Sequence, residues 1–393
     1  MNILYYTYNK IHSTKGGTER TTITIAEKLT INYGCHCYSI YENPANTPME
    51  SCFIKEFLWP KQKKEYDNII FLRNIITTWN INVIIIQGAF IHVKKFREAA
   101  SKIDCKIIFA HHFAPKWETN FFSFGRIFHR KTISYKDYIK KIRDLMFFPL
   151  MYHNYIKFLS TMYQEAYERA DYVVLLSNQF IKPYKEFGRF IDETKFRIIP
   201  NALSFKEFIP DTEFDKKKNI VLIVARLDET SKKISDALYI WEIVKQHPQS
   251  RNWILKIVGE GNDLKSYQNL VSQRAIPDVV FCGRQNPIPY YKEASLFMMT
   301  SKSESWGLTL TEAQQMGVVP IAFDTYPTIY DIITDLSNGF IIPAGNIKDY
   351  AAKLIELMSN TSYRNHIAHN GRESCKQFSS DIIVQYWWNI ITT

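Results

Sequence analysis

Short apolar runs alternate with amphipathic stretches along most of the 393-residue chain. Runs of β-branched and aliphatic residues without polar alternation read as strands buried on both faces, the signature of parallel sheets. In the first half they are Asn2–Thr7, Asn82–Gly88 (N-V-I-I-I-Q-G), Cys105–His112 (C-K-I-I-F-A-H-H), Ala170–Ser177 and Phe196–Ala202. In the second half they are Asn219–Arg226, Trp253–Gly259, Val279–Gln285, Leu296–Thr300 and Val318–Ala322. Helical patterns fall between them at Thr21–Asn32, Thr309–Met316 and Pro327–Thr334, and three amphipathic helices follow Ile347. Strands alternating with helices predict an α/β protein built on parallel sheets. The polar, charged stretch Leu203–Lys218 interrupts the rhythm, which then restarts, so a linker is predicted there.

Length and composition agree with two or three domains, each able to bury its own core. Hydrophobic residues make up 46% of the chain, as in globular proteins, and no apolar run approaches the roughly 18 residues of a membrane span. The opening Met-Asn-Ile-Leu-Tyr-Tyr lacks the basic region and apolar core of a secretory signal, which predicts a cytoplasmic protein. The six cysteines show no paired metal spacing, and Cys35 and Cys37 share one face of a predicted strand; core thiols are expected, with neither disulfides nor zinc. A net charge of +10 admits nucleic acid, an anionic membrane or an anionic substrate as partner. Lys116–Tyr163 breaks the α/β pattern, with nine Lys or Arg against three acidic residues and thirteen aromatics, among them Phe121, Phe122, Arg126, Arg130, Lys131, Lys140, Lys141, Phe147 and Phe148. Such a mixture suits a membrane interface, single-stranded nucleic acid, or a packed helix pair with a solvated basic face.

Two loops carry candidate chemistry. After the strand ending at Met299, the run Ser301-Lys302-Ser303-Glu304-Ser305-Trp306-Gly307-Leu308 enters the helix Thr309–Met316, which contains Glu312 and stops at Gly317. The amides of Trp306, Gly307 and Leu308 would point at an anion, and the two glutamates could hold two ends of one ligand. Near the start, Lys15-Gly16-Gly17-Thr18 joins a strand to a helix and is a second phosphate-cradle candidate, although G-x-G-x-x-G is absent.

The stretch E-S-W-G-L-T-L-T-E-A, with its glutamates Glu304 and Glu312 eight positions apart, resembles the E-x7-E motif of retaining glycosyltransferases of the GT-B fold, family four in particular. Ala225-Arg226-Leu227-Asp228-Glu229-Thr230-Ser231-Lys232 resembles that family's G-R-L-x(3–4)-K, with alanine for the usual glycine. Ile199-Pro200-Asn201-Ala202 resembles its I-P-N-G, again with alanine for glycine, and Val258-Gly259-Glu260-Gly261 resembles another of its turns. The resemblance spans nearly the whole chain and implies two facing Rossmann-like domains with parallel sheets and a cleft between them. The domains would be 1–202, with the C-terminal helix 380–393 crossing back, and 203–379. It implies roles as well. Arg226 and Lys232 (or Lys233) would hold the donor diphosphate, Glu304 the donor sugar, and Glu312 the ribose. His112, favoured over His111 by H-x-x-P, would contact the sugar. Gly16, Gly17, Ser305, Trp306, Gly307 and Leu308 would lie against sugar and phosphate, and the base would be read beside Gly283 and Arg284.

The implied reaction moves a hexose or N-acetylhexosamine from a nucleotide sugar, UDP-linked by the family's habit, with retention at the anomeric carbon. The leaving diphosphate would be stabilised by Arg226, Lys232 and helix amides, so that no metal and no separate cofactor are expected, and no D-x-D metal motif is present. The basic, aromatic segment points to a lipid-linked or oligosaccharide acceptor at the inner face of an anionic membrane, in capsule or lipopolysaccharide assembly. The rival is a non-catalytic basic protein of the same fold that binds nucleic acid or membrane; it leaves the paired glutamates without a use. A nucleotide-sugar epimerase or dehydrogenase would need the missing dinucleotide fingerprint.

Overall fold

In the computed structural model the described residues are 1–11, 16–44, 51–60, 64–88, 90–128 and 134–393. Lys15, Arg130 and Lys131 lie outside them, as does the side chain of Arg126. The chain divides into two compact units, Met1–Pro200 with Val384–Thr393, and Asn201–Ile383. Each is a Rossmann-like α/β unit with an all-parallel sheet, as the uninterrupted apolar strands require.

The first unit has seven described strands: β1 (Asn2–Asn9), β2 (His36–Asn43), β3 (Lys55–Leu58), β4 (Val83–Gln87), β5 (Lys106–His111), β6 (Tyr172–Leu175) and β7 (Phe196–Ile198). Their order is β3-β2-β1-β4-β5-β6-β7, and every residue of β4 is buried. Ile3, Leu4, Tyr5 and Tyr6 of β1 pair in register with Val83, Ile84, Ile85 and Ile86. Because the order reverses between β1 and β4, the loops after these strands part company and leave a crevice at their carboxyl ends.

The second unit has β8 (Lys218–Val224), β9 (Ile254–Val258), β10 (Val279–Gly283), β11 (Ala294–Met299), β12 (Val319–Asp324) and β13 (Phe340–Pro343), in the order β10-β9-β8-β11-β12-β13. All six residues of β11 are buried, and the reversal lies between β8 and β11. The stretch read as a linker is fastened to this unit rather than left free. Gln315 Nε2 donates to Phe205 O (2.8 Å) and Glu207 O (3.1 Å), Arg372 Nη1 donates to Ile209 O (3.0 Å), and Phe214 is buried. Lys217 Nζ donates to two backbone carbonyls, Tyr291 O (2.8 Å) and Met316 O (2.5 Å).

The last helix, Ser380–Thr392, joins the first unit from Val384 onward. Trp388 stacks on Tyr33 with ring centroids 4.2 Å apart, and Lys106 Nζ caps the carbonyls of Ile390 and Ile391 at 3.2 and 3.0 Å. All six cysteines are free, and four of them (Cys35, Cys37, Cys105, Cys375) are buried. Among the described residues, no helix is long and apolar enough to cross a membrane, and no group of three acidic, histidine or cysteine side chains could hold a metal.

Candidate functional site

The loops that follow β8 and β11 are neighbours because those strands pair at the switch point. In the β8 loop, Arg226 is largely exposed and its Nη2 lies 3.0 Å from Asp228 Oδ2. Asp228 opens the short helical turn Glu229–Lys232, accepting from the Thr230 N–H (3.0 Å) and from Ser231 Oγ (3.0 Å). Burial works against charge on Asp228, but hydrogen bonds from Thr230 and Ser231 together with the Arg226 charge outweigh it and hold the carboxyl below its usual range. Lys232, at the end of the turn, places Nζ 2.5 Å from Glu304 Oε1 in a largely buried ion pair. Lys233, in a left-handed conformation with φ 51°, pairs with Glu229 at 3.4 Å instead. Of the two lysines the sequence leaves open, Lys232 is the one brought to Glu304.

Backbone stitches keep that pair in place. Lys302 N–H donates to Ser231 O (2.8 Å), and Thr300 Oγ1 lies 3.0 Å from Lys233 O and 3.2 Å from Lys232 O. Past Glu304, Trp306 is buried edge-on against Phe378, with centroids 5.3 Å apart. Gly307 takes φ 94°, and a Cβ there would stand 2.9 Å from the Tyr326 hydroxyl, so a glycine is needed to enter the helix Leu308–Gln315. The first N–H groups of that helix have no partner within it and make its start electropositive, close in sequence to Ser305 and Glu304. Glu312 lies inside the helix and is 1% exposed; Tyr291 Oη, from the helix Ile288–Glu293, donates to its Oε2 at 3.0 Å.

The turn Gly259-Glu260-Gly261 is the mould for the Arg226 loop. Leu227 N–H donates to Glu260 O (2.9 Å), and Ala225 N–H to Val258 O (3.1 Å). A Cβ on Gly259 would sit 1.8 Å from Ala225 O, and one on Gly261 would sit 2.1 Å from Leu227 O. Gly283 ends the edge strand β10 with φ 67°, and its carbonyl accepts from the Gly259 N–H at 2.8 Å. Arg284 Nη1 lies 2.9 Å from Glu260 Oε1, with both side chains exposed. The structure thus groups Gly283 and Arg284 with this turn, two strands away from β8.

The first unit has its own crevice, a cavity of about 710 Å³ at the carboxyl ends of β1 and β4. Gly16 and Gly17 line it beside the start of the helix Gly17–Tyr33, facing an aromatic wall in which Phe113 and Trp117 stack with centroids 4.5 Å apart. Gln87 and Glu118 supply polar groups to the wall, and the two histidines stand as their buried partners. His112 Nε2 bonds to Gln87 Oε1, and His111 Nε2 lies 3.2 Å from Glu118 Oε1. Tyr163 Oη donates to Glu118 Oε2 at 2.6 Å. Burial opposes charge on Glu118, yet the hydrogen bond and charge of His111, with the Tyr163 bond, hold its carboxyl below the usual range. Gln87, Glu118, Tyr291 and Asp228 are the residues that sequence reasoning missed. Asp228 alone had a local signal, since an aspartate two residues before Thr230 is a helix-cap pattern.

Two parallel-sheet Rossmann-like units define the GT-B class of glycosyltransferase folds. Within the second unit, residues 204–374 match the family model described as "Glycosyl transferases group 1". An uncharacterised glycosyltransferase of Haemophilus influenzae is 26% identical over 195 residues, 49% of this chain and 53% of that protein. A Campylobacter jejuni alpha-1,4-N-acetyl-D-galactosaminyltransferase, whose name gives an undecaprenol-diphosphate-linked acceptor, is 25% identical over 206 residues, 52% of this chain and 56% of that one. The chain spans about half the length of these curated relatives. The Anabaena HepE structure, solved with UDP, superposes over 100% of both chains with a TM-score of 0.75 at 15% identity, a likeness of fold.

Proposed function

We propose that the chain is a retaining, metal-independent glycosyltransferase. It moves a hexose or N-acetylhexosamine from a UDP-linked sugar to a lipid-linked or oligosaccharide acceptor in capsule or lipopolysaccharide assembly. The observation that carries the reading is the Lys232–Glu304 ion pair, set at the β8/β11 switch point between the Arg226 loop and the start of the Leu308–Gln315 helix. The UDP of the HepE complex and the undecaprenol-linked acceptor in the Campylobacter relative's name support the donor and acceptor classes.

The chemistry follows from charge. Cleavage of the bond between the anomeric carbon and the diphosphate oxygen builds negative charge on the phosphate and positive charge on the sugar ring. Arg226, Lys232 and the helix N–H groups at Gly307 and Leu308 meet the negative charge with preorganised donors. Glu304, aligned by Lys232, takes the sugar hydroxyls and lies near the developing cation. Glu312, held by Tyr291, takes the ribose hydroxyls. The acceptor oxygen bonds to the anomeric carbon on the face the diphosphate leaves, and its proton passes to the departing phosphate oxygen. The cavity of the first unit, with Gln87 and Glu118 on its wall, receives the acceptor glycan. The enzyme works as a peripheral protein at the inner face of an anionic membrane.

The test is a panel of nucleotide sugars, scored for protection against thermal unfolding and for transfer, with and without a chelator, and with the product anomer read by NMR. Selective protection by UDP-sugars, transfer that survives the chelator and an α product from an α donor are expected. Protection by none of them would overturn the reading, and a β product would remove the chain from the retaining class.

A further inference from the structure

The helix Tyr135–Met146 is turned the opposite way from an ordinary surface helix. Tyr135, Tyr138, Ile139, Ile142 and Met146 fall at helical spacings on one face, and all five are exposed, Tyr135 at 78% and Met146 at 67%. The buried residue lies on the opposite side: Asp144, 4% exposed and held by Arg143 Nη2 at 2.8 Å. Polar chemistry therefore faces the protein and apolar chemistry faces outward. The helix does not need the apolar stripe for its own start, because Ser134 and Asp137 close a capping box, with Asp137 N–H to Ser134 Oγ at 3.2 Å and Ser134 N–H to Asp137 Oδ2 at 3.1 Å.

Basic residues border the stripe on both sides, Lys136 and Arg143 along one edge and Lys141 along the other, with Lys140 behind. The two acidic residues of the helix, Asp137 and Asp144, lie away from the stripe and already have partners in the cap and in Arg143. The apolar surface continues into the exposed Phe124 and Phe128, with Lys141 Nζ 5.7 Å from the Phe128 ring centre, and into Phe147 and Leu150. Phe122 and Phe148 instead stack on one another at 5.7 Å.

We propose that this helix is the element that lies in an anionic lipid leaflet, entering it with Tyr138, Ile139, Ile142 and Met146 while Lys136 and Lys141 reach the headgroups. The inference rests on the membrane reading above and adds which residues enter. Twelve residues make a helix of about 18 Å, too short to span a bilayer but suited to its interfacial plane. Charge complementarity selects the bilayer over a second copy of the chain, since a two-fold pairing of stripes would press the same cationic borders together. An anionic leaflet attracts each of those cations, and their long stems can reach its surface while the stripe is buried.

The experiment uses the full chain with vesicles of phosphatidylglycerol and of phosphatidylcholine, read by sedimentation, alongside transfer to a water-soluble acceptor. Binding to the anionic vesicles only, falling as salt rises, is expected. The triple variant Tyr138→Ser, Ile139→Ser, Ile142→Ser should bind roughly tenfold or more weakly. It should keep its transfer activity, because these side chains are exposed and outside the site. In Ile139→Trp, the new fluorophore should shift to the blue on anionic vesicles. The proposal fails if the wild type binds neither vesicle, if the triple variant binds as well as the wild type, or if the triple variant only dissociates a dimer. Donor protection against unfolding is measured in parallel, so failure of the glycosyltransferase reading shows there and failure of this one shows at the vesicles.

Discussion

Replacing Gly261 by alanine tests whether the Arg226 loop is shaped by the turn beneath it. The added Cβ would stand 2.1 Å from Leu227 O, 2.6 Å from its carbonyl carbon and 2.8 Å from its nitrogen, all backbone atoms that no rotamer change can move aside. Relief needs a displacement of about 1 Å, since overpacking of this kind resolves only by backbone shifts. Leu227 is fully buried, and its backbone is held on both sides, N–H to Glu260 O at 2.9 Å and O from Asp263 N–H at 3.3 Å. Overpacking at roughly 1–3 kcal/mol, plus about 1 kcal/mol for a weakened backbone bond, gives a loss of about 2–4 kcal/mol. In a unit of this size that corresponds to a fall in Tm of roughly 5–15 °C. The same shift moves Arg226, the neighbour of Leu227, and a misplacement of about 1 Å can lower kcat/KM about 100-fold. Gly345→Ala is the control: φ is 74° there, but nothing lies within 4 Å of the new Cβ. It should lose only the roughly 1–2 kcal/mol of left-handed strain, with donor kinetics unchanged. Calorimetric melts and donor kinetics on both variants decide the matter. A Gly261→Ala protein with wild-type Tm and wild-type kcat/KM would refute the argument.

Lys232→Met should lower turnover roughly 10²–10³-fold; adding Glu304→Gln should recover stability but not turnover, with a coupling of about 0.5–3 kcal/mol in the double-mutant cycle, and strictly additive melts would sink the pair. Glu312→Gln should weaken donor binding by about 1.5–3 kcal/mol, and Tyr291→Phe should weaken it less; unchanged affinity by calorimetry, in folded protein, would count against the ribose role. Burial pushes the Lys217 pKa down from its ordinary 10.5 to about 7. Between those values the unfolded chain binds the extra proton, so stability should rise with pH, by about 2 kcal/mol from pH 7 to 9. Lys217→Met should lack that slope, and parallel melting curves for the two proteins across that window would contradict it.

Most strands and the two loops were legible because their signals are local, while the short edge strands β3 and β13 were not read. The β4 run V-I-I-I-Q is a buried strand on its residues alone, and Glu304 with Glu312 forms a recognisable pattern within one short segment. Partners across the sheet were not legible, because they depend on strand order. Tyr291 meets Glu312 from 21 positions away, and His112 meets Gln87 from 25. Only once β4 lies beside β5, and the helix before β11 lies beside the helix after it, do these pairs become neighbours. The tract Leu203–Lys218 read as a linker since its polarity is visible in sequence, whereas the carbonyl captures by Gln315 and Arg372 come from far along the chain. Within Lys116–Tyr163 one sequence reading was a packed helix pair with its basic face in solvent; in the helix Tyr135–Met146 an apolar face is exposed and Asp144 is buried, an orientation that composition does not reveal.

The return of the last helix to the first unit sets a timetable for synthesis. Strands β1 to β7 leave the ribosome early, but the surface that Tyr33 and Lys106 offer to Trp388, Ile390 and Ile391 stays uncovered until the whole of Asn201–Ile383 has been made. At roughly 5–20 residues per second that interval is on the order of ten seconds or more, long compared with the folding of a single domain. The nascent first unit must therefore wait with an apolar seam open to chaperones and to neighbouring chains.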